Sequence, residues 1–550
     1  MIPIKAAYLS NAQSVKILHP GSLSKSPVQD AAHIDFCASY PSNISDSWSK
    51  HLGKCPGQPT NGKKPNFVVF LTDNQDYLMD SLKYQEYVQK YFIDQGTQFT
   101  HYYTTSSTCC PSRVSFLPGK FAHSHNTTSE VAPYGSYYKF QENKLDDHWL
   151  PRWLQEENYR NYYIGKFINS VDATHLGPPK GWEHFEPLVS PGIYNLTHPI
   201  FSLNSGPLEE HPGVYQTDLI SNKSLALIDN LSERDDPLFF VISPTAPHEE
   251  VQVNGDFTPP RPADRHKYLF LDAKVPRTPH FNPAVQDKVL WLKDLPLLSA
   301  ADIEYLDFMY RQRLRSLQAT DELVDAVFKR LEEKDLVDNT YFIYTTDNGF
   351  HLGHHRLKAG KSLAYEDDVN LPFIIRGPGI AKNVTRSNPG THSHFPATIL
   401  DLAGISRPDD LDATSLFDPD HTESFNLEYW QASSKKTIVD SQNRTAYKSL
   451  RIISKDFNLY YSVGVPASLK NLYSRTDPNF LNRLDALFSV LYNCKGDVCK
   501  FPWNLLHKDD KVKSLKDALK PKYDKYYKSL PKFRFLKCKV YYDVDNEDTD

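Results

Sequence analysis

The sequence predicts an α/β fold built around a mostly parallel central sheet, and two observations predict it. Short, wholly apolar runs stop abruptly at polar residues, which marks buried strands. Between them lie stretches of helical periodicity, and strands alternating with helices make a sheet covered on both faces. In such sheets ligands gather beyond the carboxyl ends of the strands.

Taken in order, residues 1–64 are rich in Ser, Pro, Asn and Gly and show no periodicity. They read as an irregular N-terminal extension. The main domain is expected over 65–407, opening with the apolar run Asn66–Thr72. Leu238–Ser243 and Thr340–Thr345 resemble that run, and Phe373–Ile375 reads as a fourth strand. From about Ala301 to Lys334, Leu306, Met309, Tyr310, Leu314, Leu317, Leu323, Val324, Val327, Phe328 and Leu331 recur at helical spacing. Beyond Pro408 a smaller C-terminal α+β subdomain, 408–550, is expected, with Leu450–Ser454 and Phe457–Ser462 as an antiparallel hairpin. The chain closes on a Lys- and Tyr-rich stretch and an acidic tail at Asp543–Asp550.

At 550 residues the chain suits one large enzyme, or a big domain with a smaller partner. A net charge of −5 gives no reason to expect a nucleic-acid surface. No apolar run approaches the roughly 20 residues of a membrane helix, so no membrane span is expected. Met1–Lys25 makes a weak signal peptide, with a lone early Lys5 and polar interruptions. Asn-X-Ser/Thr sequons begin at Asn43, Asn126, Asn195, Asn222, Asn230, Asn383 and Asn443. They favour a glycoprotein of the secretory pathway, secreted or held in cell wall or vacuole. The 7 cysteines are an odd number, so an oxidising compartment leaves one thiol over. If Cys109 is chemically converted, the remainder can pair; Cys494 with Cys499 is the expected local disulfide, and Cys37 with Cys55 a second pairing.

Three apolar runs discharge into unusual polar residues. The first ends in Asp73-Asn74-Gln75-Asp76 and the Thr340 run in Asp347-Asn348-Gly349. Such pairs are also turn formers. Both, placed at the mouth of a parallel sheet, offer hard oxygen donors suited to Ca²⁺ or Mg²⁺. The Leu238 run leads to His248, and after Asn348 come His351, His354, His355, Lys358 and Lys361. No Cys or His pattern at zinc spacing accompanies these histidines. A basic cluster facing an oxyanion substrate fits them better.

The most specific signal is Cys109-Cys110-Pro111-Ser112-Arg113, followed by Gly119-Lys120. Pro111 and Ser112 suit the first turn of a helix, which places Cys109 at an anion-favouring N-terminus. A vicinal pair used in disulfides and a simple low-pKa thiol remain open on these residues alone.

Cys109–Arg113 with Gly119-Lys120 resembles the signature of the sulfatase family, in which the Cys of this motif is oxidised to formylglycine. Asn158–Lys166 looks like the second sulfatase signature. Asp347–His354, Leu371–Gly379 and Asn471–Pro478 extend the resemblance from about Pro65 to Pro478. Within the family, the Cys-Cys-Pro-Ser-Arg form and Gly165–Asn169 look closest to fungal arylsulfatases and to N-acetylglucosamine-6-sulfatases. Pro133–Phe140 tilts towards the fungal arylsulfatases.

The resemblance implies an alkaline-phosphatase-like α/β sandwich that hydrolyses sulfate esters, phenol sulfates first. One hydroxyl of the hydrated formylglycine attacks sulfur and the alcohol leaves. The other hydroxyl then loses its proton, expelling sulfate and regenerating the aldehyde. By resemblance, Arg113 and Lys166 hold the formylglycine, and His248 and Lys361 contact the sulfate. Lys166 and His351 join them in substrate binding. Asp73, Asn74, Asp347 and Asn348, with the converted Cys109, bind Ca²⁺. A sulfatase-modifying, formylglycine-generating enzyme is the implied partner, beside a small sulfate ester.

Three departures qualify this. Asn74 stands where most of the family has a second Asp, which predicts weaker metal affinity. Pro118 replaces the usual Thr or Ser before Gly119-Lys120, and Asn169 stands where many members carry His. His123 and His125 are weaker candidate substrate contacts. A sulfated sugar is the second substrate class. A phosphodiesterase or phosphonate hydrolase, and a degenerate sulfatase-like binding protein, are the other readings.

Overall fold

Strand β1 (Asn66–Thr72) lies in the middle of an eight-stranded sheet and is buried along its whole length. The other strands are β2 (Thr97–Phe99), β3 (Arg160–Gly165), β4 (His184–Pro187), β5 (Leu238–Ser243), β6 (Thr340–Thr346), β7 (Phe373–Arg376) and β8 (Val384–Arg386). Their order across the sheet is β8-β2-β7-β6-β1-β5-β3-β4. Only β7 runs against the rest, antiparallel to β6 and β2, so the sheet is mostly parallel as expected. This computed structural model describes residues 5–9, 63–172, 177–231, 236–285, 295–418, 424–430, 447–453, 458–463 and 476–532. Cys37, Cys55, Cys538, the acidic tail, the sequons at Asn43 and Asn443, and Asn471–Arg475 of the last motif lie outside them.

Alternation along each strand sends successive side chains to opposite faces. Phe67, Val69 and Leu71 of β1 join Phe239, Val241, Tyr341 and Ile343 in one core. Helices α1 (Cys109–Phe116) and α4 (Phe395–Ala403) cover that face with Val114, Phe116, Phe395 and Leu400. Val68, Phe70, Phe240, Ile242, Phe342 and Tyr344 face the other way. They are covered by α2 (Gln216–Leu231) and by the 34-residue α3 (Ala300–Glu333). The apolar stripe of α3 that meets this face includes Leu323, Val324, Val327, Phe328 and Leu331. Its start is fixed by a capping box in which Ser299 Oγ accepts from Asp302 N and the Asp302 carboxylate accepts from Ser299 N. The result is helix, sheet and helix in three layers, the architecture that continuous apolar runs require.

A second, four-stranded antiparallel sheet follows, in the order Lys5–Leu9, Asn458–Val463, Tyr447–Ile453, Ser424–Tyr429. Helix α5 (Pro478–Leu491) shares a core with it, through Leu484, Leu487 and Phe488 against Phe425 and Leu427. Tyr103, Phe121, Ala364 and Val369 of the larger part enter the same core, so this part packs against the main sandwich. Cys494 and Cys499 are disulfide-bonded, as their spacing predicts.

Candidate active site

The carboxyl ends of β6, β1, β5 and β3, four neighbours in the sheet, point the same way. Three hand the chain directly to a polar residue, Asp347 after β6, Asp73 after β1 and Lys166 after β3, and β5 leads through a short loop to His248. Parallel pairing thus gathers groups scattered over the sequence onto one edge. Helix α1 closes the site from beside that edge and begins at Cys109, with Thr108 in extended conformation before it.

Cys109 is fully buried, its Sγ 3.5 Å from Asp73 Oδ1 and 3.8 Å from Asn74 Oδ1. Lys361 Nζ meets the same sulfur, donates to Asn74 Oδ1 at 2.8 Å, and stands 3.4 Å from Asn348 Oδ1. One His248 ring nitrogen, Cys109 Sγ and an Asp73 carboxylate oxygen lie within 4.8 Å of one another. The other face of the site is rigid. Arg113 Nε donates to Asp347 Oδ2 at 2.8 Å, and its NH1 to Lys166 O at 2.7 Å and Ser243 Oγ at 2.9 Å. Lys166 Nζ is paired with Asp73 Oδ2, and its charge lies 4.8 Å from the centre of the Tyr194 ring.

Asp73, Asn74, Asp347 and Asn348 have no exposed surface. Their oxygens suit a hard divalent cation. Asp347 Oδ1 accepts from the backbone N–H of Asn74 at 2.9 Å and of Asn348 at 2.8 Å. Burial opposes its charge, yet Arg113, Lys166 and Lys361 hold its carboxyl well below the usual range. Asp73 is pushed up, by burial first and by the nearby Asp347 second, a repulsion that a bound cation relieves. Asn74 sits at φ 64, and its Oδ1 takes hydrogen bonds from Asn348 Nδ2 and Lys361 Nζ. Among the described residues its buried Nδ2 has no hydrogen-bond partner, so the amide is held through its oxygen. The donor set therefore fits the cation. The charges of Arg113, Lys166 and Lys361 against those of Asp73 and Asp347 leave 3 − 2 = +1 before any cation binds. Such a pocket is prepared for an anion.

His248 Nδ1 lies 2.6 Å from the carbonyl oxygen of Glu249, to which it donates. Burial, then Lys166 and Lys361, lower its pKa well below the ordinary histidine value, so the ring is neutral with a free lone pair on Nε2. Lys361 is the opposite case: burial disfavours its charge, but Cys109, Glu130, Asp347 and Asp73 raise its pKa and keep it protonated. The two groups that flank Cys109 are thus a neutral base and a charged donor.

Other sequence candidates lie elsewhere. His351 is buried, with Nδ1 2.7 Å from Asp368 Oδ1, and no described contact joins it to Cys109. Lys358 is exposed and pairs with Asp302 at 3.0 Å. His354 and His355 gather instead around Asp367. His123 is locked between Glu428 and the carbonyl of Cys494, and His125 between Ser115 and Thr127, both in packed interior. Sequence reasoning missed Glu130, Tyr194, Glu249 and Arg313. Glu130 Oε1 is 3.9 Å from Lys361 Nζ at the partly exposed mouth. The Tyr194 ring lies 4.4 Å from His248, and its hydroxyl accepts from Asn169 Nδ2 at 3.0 Å. Arg313 binds the backbone oxygen of Asn74 and the Asp76 carboxylate. Only Glu249 carried a signal, as the neighbour of His248.

A family model described as Sulfatase matches residues 65–405. An arylsulfatase of Volvox carteri is 36% identical over 88% of this chain and 83% of its own. A human N-acetylglucosamine-6-sulfatase is 27% identical over 82% of this chain and 89% of its own. Among solved structures, a protein captured with its substrate D-glucosamine-2-N,6-O-disulfate superposes with a TM-score of 0.57 at 21% identity. That likeness covers 75% of this chain and 92% of the other.

Proposed function

This chain belongs to the sulfatase family and is a sulfuric ester hydrolase, and on that premise we propose that it is an arylsulfatase whose nucleophile is a formylglycine made from Cys109. The family generally works with formylglycine and a divalent metal; here the metal is read as Ca²⁺. One observation carries the reading: Cys109 Sγ, which stands where the hydrated aldehyde would project, faces the Asp73–Asn74 oxygens, His248 and Lys361 together.

Formylglycine supplies an oxygen nucleophile with its own release route. A cation held by Asp73, Asn74, Asp347 and Asn348 supplies Lewis-acid charge stabilisation. The chain's own groups do the rest. Arg113 and Lys166 fix the carboxylates and the start of α1, so the reacting position is set before substrate arrives. Neutral His248 Nε2 receives a proton at the reacting centre. Lys361 Nζ donates towards the sulfate and the departing oxygen, where negative charge grows.

Secretory-pathway residence is part of the proposal. The sequon residues Asn195, Asn222, Asn230 and Asn383 are exposed, and the Cys494–Cys499 disulfide suits an oxidising compartment. No described helix is long and apolar enough to cross a membrane. A sulfated sugar is the second reading, favoured by the similarity to N-acetylglucosamine-6-sulfatases.

Mass spectrometry of the peptide spanning Cys109, from protein made in its native host, tests the nucleophile. The expected peptide is lighter than its cysteine form, and the protein hydrolyses a chromogenic aryl sulfate in preference to the phosphate analogue. An unmodified thiol in active protein would overturn the mechanism, and turnover of the phosphate alone would overturn the substrate class.

A further inference from the structure

The reaction as derived leaves two features unused: Cys110, the second cysteine of the motif, and Glu130 at the mouth. They belong to one arrangement. Cys110 is fully buried on α1, and its Sγ accepts from Ser136 N–H at 3.2 Å. Tyr137 N donates to Asn169 O at 2.9 Å, just after Lys166. Residues 128–136 are thereby fastened to α1 and to the end of β3. The segment is also closed on itself. Thr128 N and Ser129 N both donate to Tyr134 O, at 2.8 and 3.2 Å, and Val131 N donates to Ser129 Oγ at 3.2 Å. Gly135 crosses so close to Ser129 that a Cβ there would collide with the Ser129 carbonyl, so this closure needs glycine.

Glu130 rides on this held segment. Its side chain is 33% exposed against 13% for Lys361, so it is the outer member of the pair. Its Oε1 is 3.9 Å from Lys361 Nζ, too far for a hydrogen bond. An ammonium has three N–H donors, and those of Lys361 face Asn74 Oδ1, Asn348 Oδ1 and Cys109 Sγ. Among the described residues the Glu130 carboxylate therefore accepts no hydrogen bond, and Lys361 is its one ion-pair partner.

Cys109, Asp73, Asn74, Asp347 and Lys166 are fully buried. A sulfate seated on them has to project the rest of its ester past Lys361, towards Glu130. Val131 and Tyr134 stand exposed on the same segment, at 61% and 36%.

We propose that Glu130 determines which charge a substrate can carry beside its scissile sulfate: a second anionic group is disfavoured, and a neutral or cationic one is favoured. This rests on the arylsulfatase reading and sharpens it to esters with a single negative charge. A second anion would lie against a carboxylate that no hydrogen bond neutralises, and like charges at such range repel. An ammonium or hydroxyl would instead meet two unspent acceptor oxygens. An apolar aglycone finds Val131 and Tyr134 beside them.

The test uses the full-length, converted, calcium-loaded protein and three chromogenic esters: 4-nitrophenyl sulfate, its 2-carboxy derivative and its 2-aminomethyl derivative. Each ester is compared between wild type and Glu130→Gln, so that differences in intrinsic reactivity cancel. Relative to the parent ester, Glu130→Gln should raise kcat/KM for the carboxy ester about tenfold and lower it for the aminomethyl ester by a similar factor. Glu130→Lys should widen both shifts. A change common to all three esters would mean that Glu130 acts only on Lys361, and would overturn the proposal. Calorimetric binding of the same esters to calcium-loaded Cys109→Ala protein, which cannot turn them over, should show the same ratios with and without Glu130→Gln. Absence of all aryl sulfate turnover would bring down the arylsulfatase reading, while affinity ratios unmoved by Glu130→Gln would bring down this one.

Discussion

Arg113 and Asp347 form a buried ion pair, Nε to Oδ2 2.8 Å, that joins the helix carrying Cys109 to the strand end carrying the oxygen cluster. Its guanidinium also binds Lys166 O and Ser243 Oγ, so one planar fork ties α1 to β3, β5 and β6. Arg113→Met should lower stability by about 3–5 kcal/mol, because it strands a buried carboxylate. Arg113→Lys should recover only part of this, since one ammonium cannot match the fork. Denaturant unfolding checks both, and a loss below about 1 kcal/mol for the Met variant would contradict the account.

Lys361 reaches Cys109, Asn74 and Asn348 together but anchors no core. Lys361→Ala should reduce kcat by about 10²–10³-fold while the fold persists, the scale of losing one donor to a developing oxyanion. Steady-state kinetics beside a melting curve decides this. A change confined to KM would make Lys361 a binding group only.

Asn74→Asp adds a carboxylate where Lys361 Nζ and Asn348 Nδ2 already converge. Calcium affinity should rise at least about tenfold by calorimetric titration, since each tenfold is about 1.4 kcal/mol and an added charge beside the ion exceeds that. Unchanged affinity would mean that position 74 is no ligand.

Stability should fall on mild acidification. Burial brings His125 to about 3 and His392 to about 4, against an ordinary value of 6.5. Both folded values are depressed, so below pH 6.5 the unfolded chain takes up protons that the folded chain refuses. The contribution is complete above pH 6.5 and is lost progressively as pH falls towards the folded values. At pH 5 the loss is about 2 kcal/mol for each histidine. Denaturation midpoints at pH 7 and pH 5 should show the fall, and His125→Gln should flatten it. A pH-independent midpoint would refute the assignment.

Three of the four strands that built the site, β1, β5 and β6, were legible because they are buried on both faces and therefore continuously apolar, as in Asn66–Thr72 and Thr340–Thr346. β3, which opens on Arg160 and Asn161, was not read as a strand. β2, β4 and β8 span three or four residues, too few for a period to show. In the site, residues directly after strands or inside a short motif were visible: Asp73, Cys109, Lys166, Asp347. Tyr194 and Glu130 reach it from irregular segments, where no periodicity aims a side chain.

Cys109 has no exposed surface, and the helix it begins is buried from end to end. A second protein cannot reach that side chain without undoing α1 and its Arg113 anchor. Any enzymatic conversion of Cys109 must therefore act on nascent, still extended chain, in competition with folding. If Cys109 is converted as proposed, each copy's fate is set once, during synthesis, and a molecule that folds first keeps its thiol. Slowing translation or folding across this segment should raise the converted fraction, while adding the modifying enzyme to finished protein should leave it unchanged.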